Sequence, residues 1–386
     1  MPSIVVVGAG VFGLTAAWEL RTRGWTVDVI DAGPVPRPAA ASTDISKVIR
    51  MDYGADDFYT AWAEEALAGW DRWNAKWGRA FYHEDGFLLL SRKRLQPGDF
   101  EHDSLTTIAR RGHELLRLDG DVLEKRFPAW SPQQYPDGYF NPRAGWAESG
   151  AAMARIAGEA RAAGVTIAAD VRFVALVERG GRVTGVRTDR GERHADVVLV
   201  AAGAWTPWLL PDLDSVMWTT GQPVVHFDAG TSPRWRAPQF PVWAADIART
   251  GWYGFPALGD GTLKIGHHGN GRRVHPDDDR AVLPEEVERF RVFLRGNLPD
   301  LADAPIQSTR LCLYCDTFDG DFWIDRDPAR AGLVVAAGDS GHGFKFAPVL
   351  GALIADIVEA KPNVRADRFR WRARVLDGRE AARAVT

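Results

Sequence analysis

Four residues near the start of the chain have the types and the spacing that bind a dinucleotide. Gly8, Gly10 and Gly13 form a Gly-x-Gly-x-x-Gly run directly after the apolar residues 4–7. In such a run the first glycine makes a tight turn, the second lets the backbone approach a pyrophosphate, and the third lets a helix pack on the strand. Asp31 follows where a carboxylate can accept hydrogen bonds from ribose hydroxyls. The sequence therefore predicts a dinucleotide site, without choosing between NAD and FAD.

A second glycine-rich turn, residues 338–351, contains one lysine in apolar surroundings. It follows the apolar residues 332–337, which we expect to form a buried strand, and it leads into a helical pattern over 349–359. A strand that turns through glycines into a helix directs unpaired backbone N–H groups at a neighbouring electron-rich or anionic group. Gly341 and Gly343 are therefore candidate cofactor-binding residues. Taken alone, the segment is equally compatible with an ordinary tight turn.

Composition excludes several classes of function. The 386 residues carry a net charge of −4 with scattered lysines and arginines, so we expect no nucleic-acid partner. No apolar run is long enough to span a bilayer, and the first residues lack the basic start of a signal peptide. Two cysteines cannot form a disulfide framework. We expect a cytoplasmic protein with no membrane partner and no metal.

The elements that must position these residues alternate between two kinds of pattern. The start, the middle and the end of the chain read as strands alternating with helices, including a buried parallel strand within residues 197–205 that ends in a glycine, Gly203. Helical patterns cover 57–77, 144–164 and 285–298, and a glycine pair at 180–181 predicts a hairpin.

This alternation predicts an α/β plus α+β fold of two discontinuous domains. A Rossmann-like, dinucleotide-binding domain takes residues 1–80, 145–215 and 315–386. A second domain with a mixed or antiparallel sheet takes residues 81–144 and 216–314, where short strands alternate with turns.

Five short motifs occur in a characteristic order along the chain. They are the first glycine run and residues 201–205 (Ala-Ala-Gly-Ala-Trp), 263–268 (Leu-Lys-Ile-Gly-His-His), 310–314 (Arg-Leu-Cys-Leu-Tyr) and 341–346 (Gly-His-Gly-Phe-Lys-Phe). Together they resemble the D-amino-acid-oxidase superfamily of flavoproteins, in particular the group of monomeric sarcosine, N-methyl-amino-acid, pipecolate and fructosyl-amino-acid oxidases. The resemblance covers essentially the whole chain. It implies FAD as cofactor, hydride transfer from an amine to give an imine, and reoxidation by O2 to give hydrogen peroxide.

The resemblance gives Cys312 a thioether bond to the flavin. A Cys-x-x-Cys pair has other interpretations, namely a redox pair, half of a zinc site, or two buried thiols beside a noncovalent flavin. Zinc lacks a second pair, and a redox pair usually opens a helix. If residues 310–314 form a strand, Cys312 and Tyr314 share one face and Cys315 points away. Tyr314 is then a candidate wall of the catalytic cavity.

By the same resemblance, Lys264 lies near the flavin and activates oxygen, since a fixed cation stabilises developing negative charge. The alternative is a surface lysine at a strand edge. His268 lies four residues further on, on the same face if the strand continues. It matches the active-site histidine of sarcosine oxidases, where fructosyl-amino-acid oxidases resemble one another in carrying glutamate. The resemblance also makes Lys47 a cofactor-binding residue. Residues 44–47 (Asp-Ile-Ser-Lys) are similar to the Asp-Ile-Asn-Lys of fructosyl and saccharopine oxidases, so Lys47 favours that branch of the family over the sarcosine oxidases.

Arg50 and Lys345 match the cationic pair that the family uses for the substrate carboxylate. A planar guanidinium binds a carboxylate through two hydrogen bonds, and a lysine adds a point charge. Anchoring that group orients the carbon from which hydride leaves. Tyr253 matches an aromatic residue of the substrate cavity, and a half-buried strand tyrosine is an equal alternative.

These residues predict an FAD-dependent oxidase of a secondary amine or an N-substituted or cyclic amino acid. Its partners are the amine and O2, and we expect a monomer. Alternatives within the enzyme class are a biosynthetic desaturase of a cyclic amino acid, a fructosyl-amino-acid oxidase and an NAD-dependent dehydrogenase. The alternative from another class of protein is a non-catalytic FAD-binding module. Such a module would have no use for Lys264, Arg50 and Lys345, so these cations argue against it.

Overall fold

The computed structural model describes residues 1–374 and 383–384, which form two large sheets, two smaller ones and the helices that cover them. In chain order the strands are β1 Ser3–Val7, β2 Thr26–Ile30, β3 Lys47–Ile49, β4 Tyr82–His83, β5 Phe87–Ser91, β6 Leu116–Leu118, β7 Asp137–Asn141, β8 Gly145–Ala147, β9 Thr166–Ala168, β10 Phe173–Arg179, β11 Arg182–Thr188, β12 Gly191–His194, β13 Val197–Val200, β14 Met217–Asp228, β15 Val242–Ala245, β16 Trp252–Gly254, β17 Thr262–His267, β18 Arg272–Arg273, β19 Ile306–Thr317, β20 Trp323–Arg326 and β21 Leu333–Ala337. The helices are α1 Val11–Thr22, α2 Asp57–Trp77, α3 Phe100–Arg110, α4 Gly120–Arg126, α5 Ser149–Ala162, α6 Thr206–Leu209, α7 Ile247–Thr250, α8 Pro284–Asn297, α9 Ala347–Val358 and α10 Ala366–Phe369.

The first large sheet has the strand order β20-β21-β13-β1-β2-β9 and is parallel except for β20. Alternate residues of β1 enter opposite cores, because successive side chains of a strand point to opposite faces. Ile4 and Val6 pack under α1, α5 and α9, whereas Val5 and Val7 face the hairpin of β10 and β11. The carboxyl ends of parallel strands meet at one edge, which is where an open sheet of this type binds ligands.

The second large sheet has the order β18-β14-β17-β16-β15-β5-β7-β6, with β19 paired to β14. It is antiparallel except where β5 meets β15. One face is covered by α8, whose Phe290, Phe293 and Leu294 enter a core with Trp243. A sheet of this kind beside a parallel sheet confirms the predicted fold class.

Several elements match the sequence patterns closely. Helix α2 covers the predicted residues, and Asp56 caps it by accepting a hydrogen bond from the Tyr59 N–H at 3.1 Å. The predicted hairpin turns at Gly180 and Gly181, both with positive φ.

The helix predicted over 144–164 is wrong at its start. Residues Gly145–Ala147 form β8, which pairs with β3 and β4, and α5 begins only at Ser149. A short strand fixed by distant partners has no local periodicity that would reveal it.

The division into two discontinuous domains stays a prediction. Its last piece, residues 315–386, extends over 375–382 and 385–386, which lie outside the described residues. Within the part of the chain that the structure describes, no helix combines the length and the apolar character needed to cross a membrane.

Candidate active site

A cleft of about 280 Å³ opens at the carboxyl edge of the parallel sheet. Gly8, Gly10, Asp31 and Gly203, all predicted to bind a cofactor, line it. Gly8 has φ +107°, and a Cβ there would lie 2.5 Å from the Ala201 carbonyl oxygen, so this position requires glycine.

Gly13 does not line this cleft. A Cβ at Gly13 would lie 1.9 Å from the Gly8 oxygen, which is the close helix packing that the sequence motif predicts.

Polar groups in this cleft suit the ribose and the phosphates of a dinucleotide. The Asp31 carboxylate accepts hydrogen bonds from the Ala9 N–H at 2.9 Å and the Gly33 N–H at 3.1 Å. Burial raises the pKa of Asp31 above its ordinary value. The start of α1 also faces the cleft, where it can stabilise a phosphate.

Two further residues line this cleft: Arg37, which carried no sequence signal, and Trp205, which ends the quoted motif 201–205 but had no role assigned to it. The Arg37 guanidinium lies 4.2 Å from the centre of the Trp205 ring, and both side chains line the cleft.

A second cavity, of about 70 Å³, contains all six side chains predicted to be catalytic or to bind substrate. They are Arg50, Tyr253, Lys264, His268, Tyr314 and Lys345, joined by Lys47 and Gly341 from the predicted cofactor set. The two cavities are neighbours, because Leu313 and Asp339 line the first whereas Tyr314 and Gly341 line the second. One extended ligand can therefore occupy both.

Lys264 is buried on β17, 1 % exposed, which excludes the alternative of a surface lysine. Its Nζ donates to Asp44 Oδ2 at 2.6 Å and to the Ser46 carbonyl oxygen at 2.6 Å. Burial lowers the pKa of Lys264 to about 8, although Asp44 acts in the opposite direction. The cavity therefore contains an ammonium group that titrates near neutral pH.

Asp44 is a residue of the site to which we had assigned no role from the sequence. Its carboxylate is 2.6 Å from Lys264, 3.4 Å from His226 Nε2 and 3.9 Å from Lys47 Nζ. Burial alone would raise the pKa of Asp44, but Lys264 and His226 hold it well below its ordinary value. The only hint was its position in the quoted run 44–47; the partners on β14 and β17 could not be read from it.

Cys312 and Cys315 lie on opposite faces of β19, as expected for a strand. Cys312 packs with Tyr314 and Val224, and its Sγ is 3.7 Å from Lys47 Nζ. Cys315 belongs to the core of the parallel sheet, and burial raises the pKa of its thiol well above the ordinary value. Both thiols are free, so they form no disulfide with each other.

Arg50 presents an unusual guanidinium to the second cavity. The residue is 6 % exposed, and its Nη1 has no hydrogen-bond partner among the described residues. Its guanidinium carbon lies 5.1 Å from the centre of the Tyr53 ring. A buried donor without a partner is costly unless a ligand accepts its hydrogen bond, so this group indicates an anionic ligand.

Lys345 is also buried, 3 % exposed, and is held by its own turn. Its Nζ donates to the Tyr53 hydroxyl at 2.9 Å and to the His342 carbonyl oxygen at 2.7 Å. The Tyr53 hydroxyl is also 3.1 Å from His342 Nδ1. Tyr53 and His342 therefore position the second cation, and no sequence pattern pointed to Tyr53.

Aromatic groups form part of the wall of the second cavity. The rings of His268 and Tyr314 lie 5.8 Å apart between centres. Burial raises the pKa of Tyr314 and of Tyr253 above the ordinary value, so both phenols stay protonated at neutral pH. Such phenols can shape a pocket and donate hydrogen bonds, but they cannot act as bases.

The glycines of the second turn fit around protein side chains. A Cβ at Gly341 would lie 2.2 Å from Tyr314 Cε2, and one at Gly343 would lie 2.8 Å from Phe12 Cε2. Gly341 lines the second cavity, whereas Gly343 lines neither of the two cavities described here. The 3-10 turn Phe344–Phe346 then leads into α9.

The donor set fits FAD rather than a metal. A phosphate-binding helix start, a ribose-binding carboxylate and an adjoining cavity with buried cations match a flavin dinucleotide. Within residues 1–374 and 383–384, no group of histidine, cysteine and carboxylate side chains could hold a metal ion.

A family model described as FAD dependent oxidoreductase matches residues 3–357 of the 386. The chain belongs to this family of flavoproteins, and the expected FAD-dependent oxidoreductase is thereby confirmed.

Three known proteins show how this chain relates to the family. It is 28 % identical over 363 residues to monomeric sarcosine oxidase of Bacillus sp. (strain B-0618), covering 92 % of this chain and 91 % of that one. It is 29 % identical over 373 residues to N-methyl-L-tryptophan oxidase of Salmonella heidelberg (strain SL476), with coverage of 93 % and 95 %. The crystal structure of fructosamine oxidase (Amadoriase II) from Aspergillus fumigatus superposes with a TM-score of 0.85 at 28 % identity, covering 100 % and 94 %.

Proposed function

We propose that the protein oxidises a secondary amine that carries a carboxylate, an N-substituted or cyclic amino acid. The chain belongs to a family of FAD dependent oxidoreductases, and the proteins it is similar to include sarcosine, N-methyl-L-tryptophan and fructosamine oxidases. The observation that carries the narrower substrate class is Arg50, a buried guanidinium whose Nη1 lacks a partner among the described residues and which lines the second cavity. Lys345 lines the same cavity, and together they supply the charge that a carboxylate needs.

In this proposal, the residues of the second cavity act by position and charge. Bound FAD supplies the hydride acceptor for the carbon beside the amine nitrogen and returns the electrons to O2, giving hydrogen peroxide. Arg50 and Lys345 bind the carboxylate and orient that carbon. His268, Tyr253 and Tyr314 exclude water and define the space around the amine. None of them needs to remove a proton if the amine binds in its neutral form.

Lys264 supplies a fixed cation for the step that consumes oxygen. A buried ammonium stabilises the negative charge that develops as oxygen is reduced, and it does so more strongly than a solvated one. Asp44 and the Ser46 carbonyl hold this group in place at 2.6 Å each. The proposal therefore assigns Lys264 to flavin reoxidation rather than to amine binding.

The residues Gly8, Gly10, Asp31, Gly203, Lys47 and Gly341 would hold FAD, and Cys312 would bind it covalently. What supports this bond is the place of Cys312, whose Sγ lies 3.7 Å from the Nζ of Lys47, a residue that lines the second cavity.

We also propose a cytoplasmic monomer, supported by two free cysteines and by the monomeric sarcosine oxidases among its relatives. The two discontinuous domains predicted from the sequence are part of this proposal.

A fructosyl amine is the second candidate substrate. The run 44–47 and the superposition on fructosamine oxidase favour it, whereas His268 favours a sarcosine-like substrate. A cyclic-amino-acid desaturase would use the same cations with a different pocket.

Screening amines for reduction of the flavin tests the function. Purified holoenzyme is mixed without oxygen with N-methyl amino acids, pipecolate, proline and fructosyl amino acids, and flavin absorbance is followed. We expect bleaching by at least one N-substituted or cyclic amino acid and peroxide formation once air is admitted. A flavin that no amine reduces would instead indicate a non-catalytic FAD-binding module.

A further inference from the structure

Residues 383 and 384 lie against the second cavity, far along the chain from its other walls. Arg383 Nη2 donates to Asp316 Oδ1 at 2.6 Å and to the Ser340 carbonyl oxygen at 2.9 Å. The N–H of Ala384 donates to the His268 carbonyl oxygen at 3.2 Å. These contacts join three separate segments, namely β19, the second glycine turn and the residue that follows β17.

The same two residues contact side chains that define the cavity. The Arg383 guanidinium carbon lies 5.8 Å from the centre of the Tyr314 ring, and Ala384 is fully buried. Tyr314 and His268 both line the cavity. Residues 383 and 384 therefore support part of the cavity wall.

The attachment is an ion pair that is buried on the Asp316 side, whereas the Arg383 side chain is 16 % exposed. Asp316 is 2 % exposed and also accepts a hydrogen bond from the Thr220 hydroxyl. Removing Arg383 would leave the Asp316 charge buried without compensation, so the ion pair contributes to holding residues 383 and 384 in place. With Nη2 bonded to Asp316 and Ser340, Arg383 acts by holding the wall and not as a substrate ligand.

We propose that Arg383 determines substrate size. By fastening residues 383 and 384 against Tyr314 and His268, it keeps the cavity small and restricts the substrate to amines with a compact group beyond the carboxylate. This inference rests on the proposed function, because it concerns the pocket that would hold the amino acid.

The test compares how holoenzymes bind a small and a bulky carboxylate, benzoate and 2-naphthoate, followed by the change in flavin absorbance. Wild-type protein is expected to bind benzoate more tightly. In Arg383→Ala, the ratio of the 2-naphthoate to the benzoate dissociation constant should fall by about tenfold or more, the range over which pocket shape discriminates. Arg383→Lys, which keeps the charge, should restore much of the wild-type ratio.

Two further variants make the outcome decisive. Arg374→Ala removes an arginine that donates to the Ser215 carbonyl oxygen and lies over the Trp218 ring, without a contact to Tyr314 or His268 among the described residues, and it should leave the ratio unchanged. Asp316→Asn removes the ion-pair partner of Arg383 and should give the same change in the ratio as Arg383→Ala. This variant also provides the test if Arg383→Ala does not fold.

An unchanged ratio in Arg383→Ala and Asp316→Asn would overturn the size role while leaving the proposed function intact. Equal weakening of both carboxylates would overturn it as well, since that result reports a loss of general stability. If wild-type holoenzyme binds neither carboxylate and no amine reduces it, the proposed function fails and this inference fails with it.

Discussion

The Lys264 ammonium group and the Asp44 carboxylate lie 2.6 Å apart, with side chains that are 1 % and 2 % exposed, although 220 residues separate them in the chain. A lysine buried to this extent loses its proton easily, because burial disfavours the charged form. Asp44 opposes that loss, and the balance leaves the pKa of Lys264 at about 8. The charge of the proposed oxygen site is therefore set by a carboxylate from the loop before β3.

The first prediction concerns Lys264 itself. Lys264→Met should slow the reoxidation of reduced flavin by about two orders of magnitude or more, the scale of removing one fixed electrostatic group from an active site. Reduction by the amine should change far less. In wild-type protein the reoxidation rate should fall as the pH rises through about 8, because Lys264 is charged below its pKa. Stopped-flow measurement of the two half-reactions separates these effects, and equal slowing of both would contradict the role.

The second prediction concerns Asp44. Asp44→Asn removes the negative charge that raises the pKa of Lys264, so the pH at which reoxidation slows should move below 8. The same stopped-flow series across pH measures the shift. Asp71→Asn, a change at a half-exposed carboxylate that pairs with Arg143, should leave the profile in place. A profile that Asp44→Asn does not move would show that another group controls the step.

The third prediction concerns the carboxylate. Arg50→Ala should weaken the binding of benzoate about 10- to 100-fold, as expected for the loss of charge-assisted hydrogen bonds. Arg50→Lys should lie between wild type and alanine, because lysine keeps the charge but not the paired donors. Titration of the holoenzyme by flavin absorbance gives the dissociation constants. Unchanged binding in both variants would place the carboxylate elsewhere.

The fourth prediction concerns the cofactor bond. If Cys312 holds the flavin, acid-precipitated wild-type protein should stay yellow, and Cys312→Ser should give a colourless pellet. Cys315→Ser is the matched control, since that thiol lies in the core of the parallel sheet, and it should stay yellow. Mass spectrometry of the intact chains provides the second measurement. A colourless wild-type pellet would show that FAD is held without a covalent bond.

The fifth prediction concerns stability at Glu101, a fully buried carboxyl at the start of α3. Burial raises its pKa from 4.5 to about 7 in the folded chain. Between these values the folded state binds a proton that the unfolded state does not, so stability decreases as the pH rises through this window. Glu101→Gln should remove that decrease, with a gain relative to wild type that grows to the order of 3 kcal/mol above pH 7. Denaturant unfolding at pH 5 and pH 8 measures it, and an equal difference at both would contradict the assignment.

Sequence patterns predicted those parts of the fold and of the candidate site that depend on residues close together in the chain. The glycine run, Asp31 and helix α2 follow from spacing, periodicity and caps, all of which lie within one stretch of chain. The six residues of the second cavity were identified through a family resemblance, and the structure brings all of them together. Their roles stay predictions.

Contacts between site residues that are far apart in the chain could not be predicted from local sequence patterns. Asp44 meets Lys264 only because the loop before β3 approaches β17, and Tyr53 meets Lys345 across 292 residues. Arg383 lies in a stretch without periodicity, and nothing in it indicated a contact with β19. Such contacts follow from the packing of complete sheets, which a single sequence does not display.

Strand β19 carries Cys312, Tyr314 and Asp316 at alternate positions, which places them on one face. Successive members of this set are therefore about 7 Å apart along the strand. This spacing is common to the proposed cofactor bond, the cavity wall and the anchor of Arg383. Deleting a single residue before Cys312 would turn all three side chains to the opposite face, in exchange for their neighbours. The residue type at each of the three positions can therefore change during evolution, but an insertion or deletion that moves one of them along the strand also disturbs the other two.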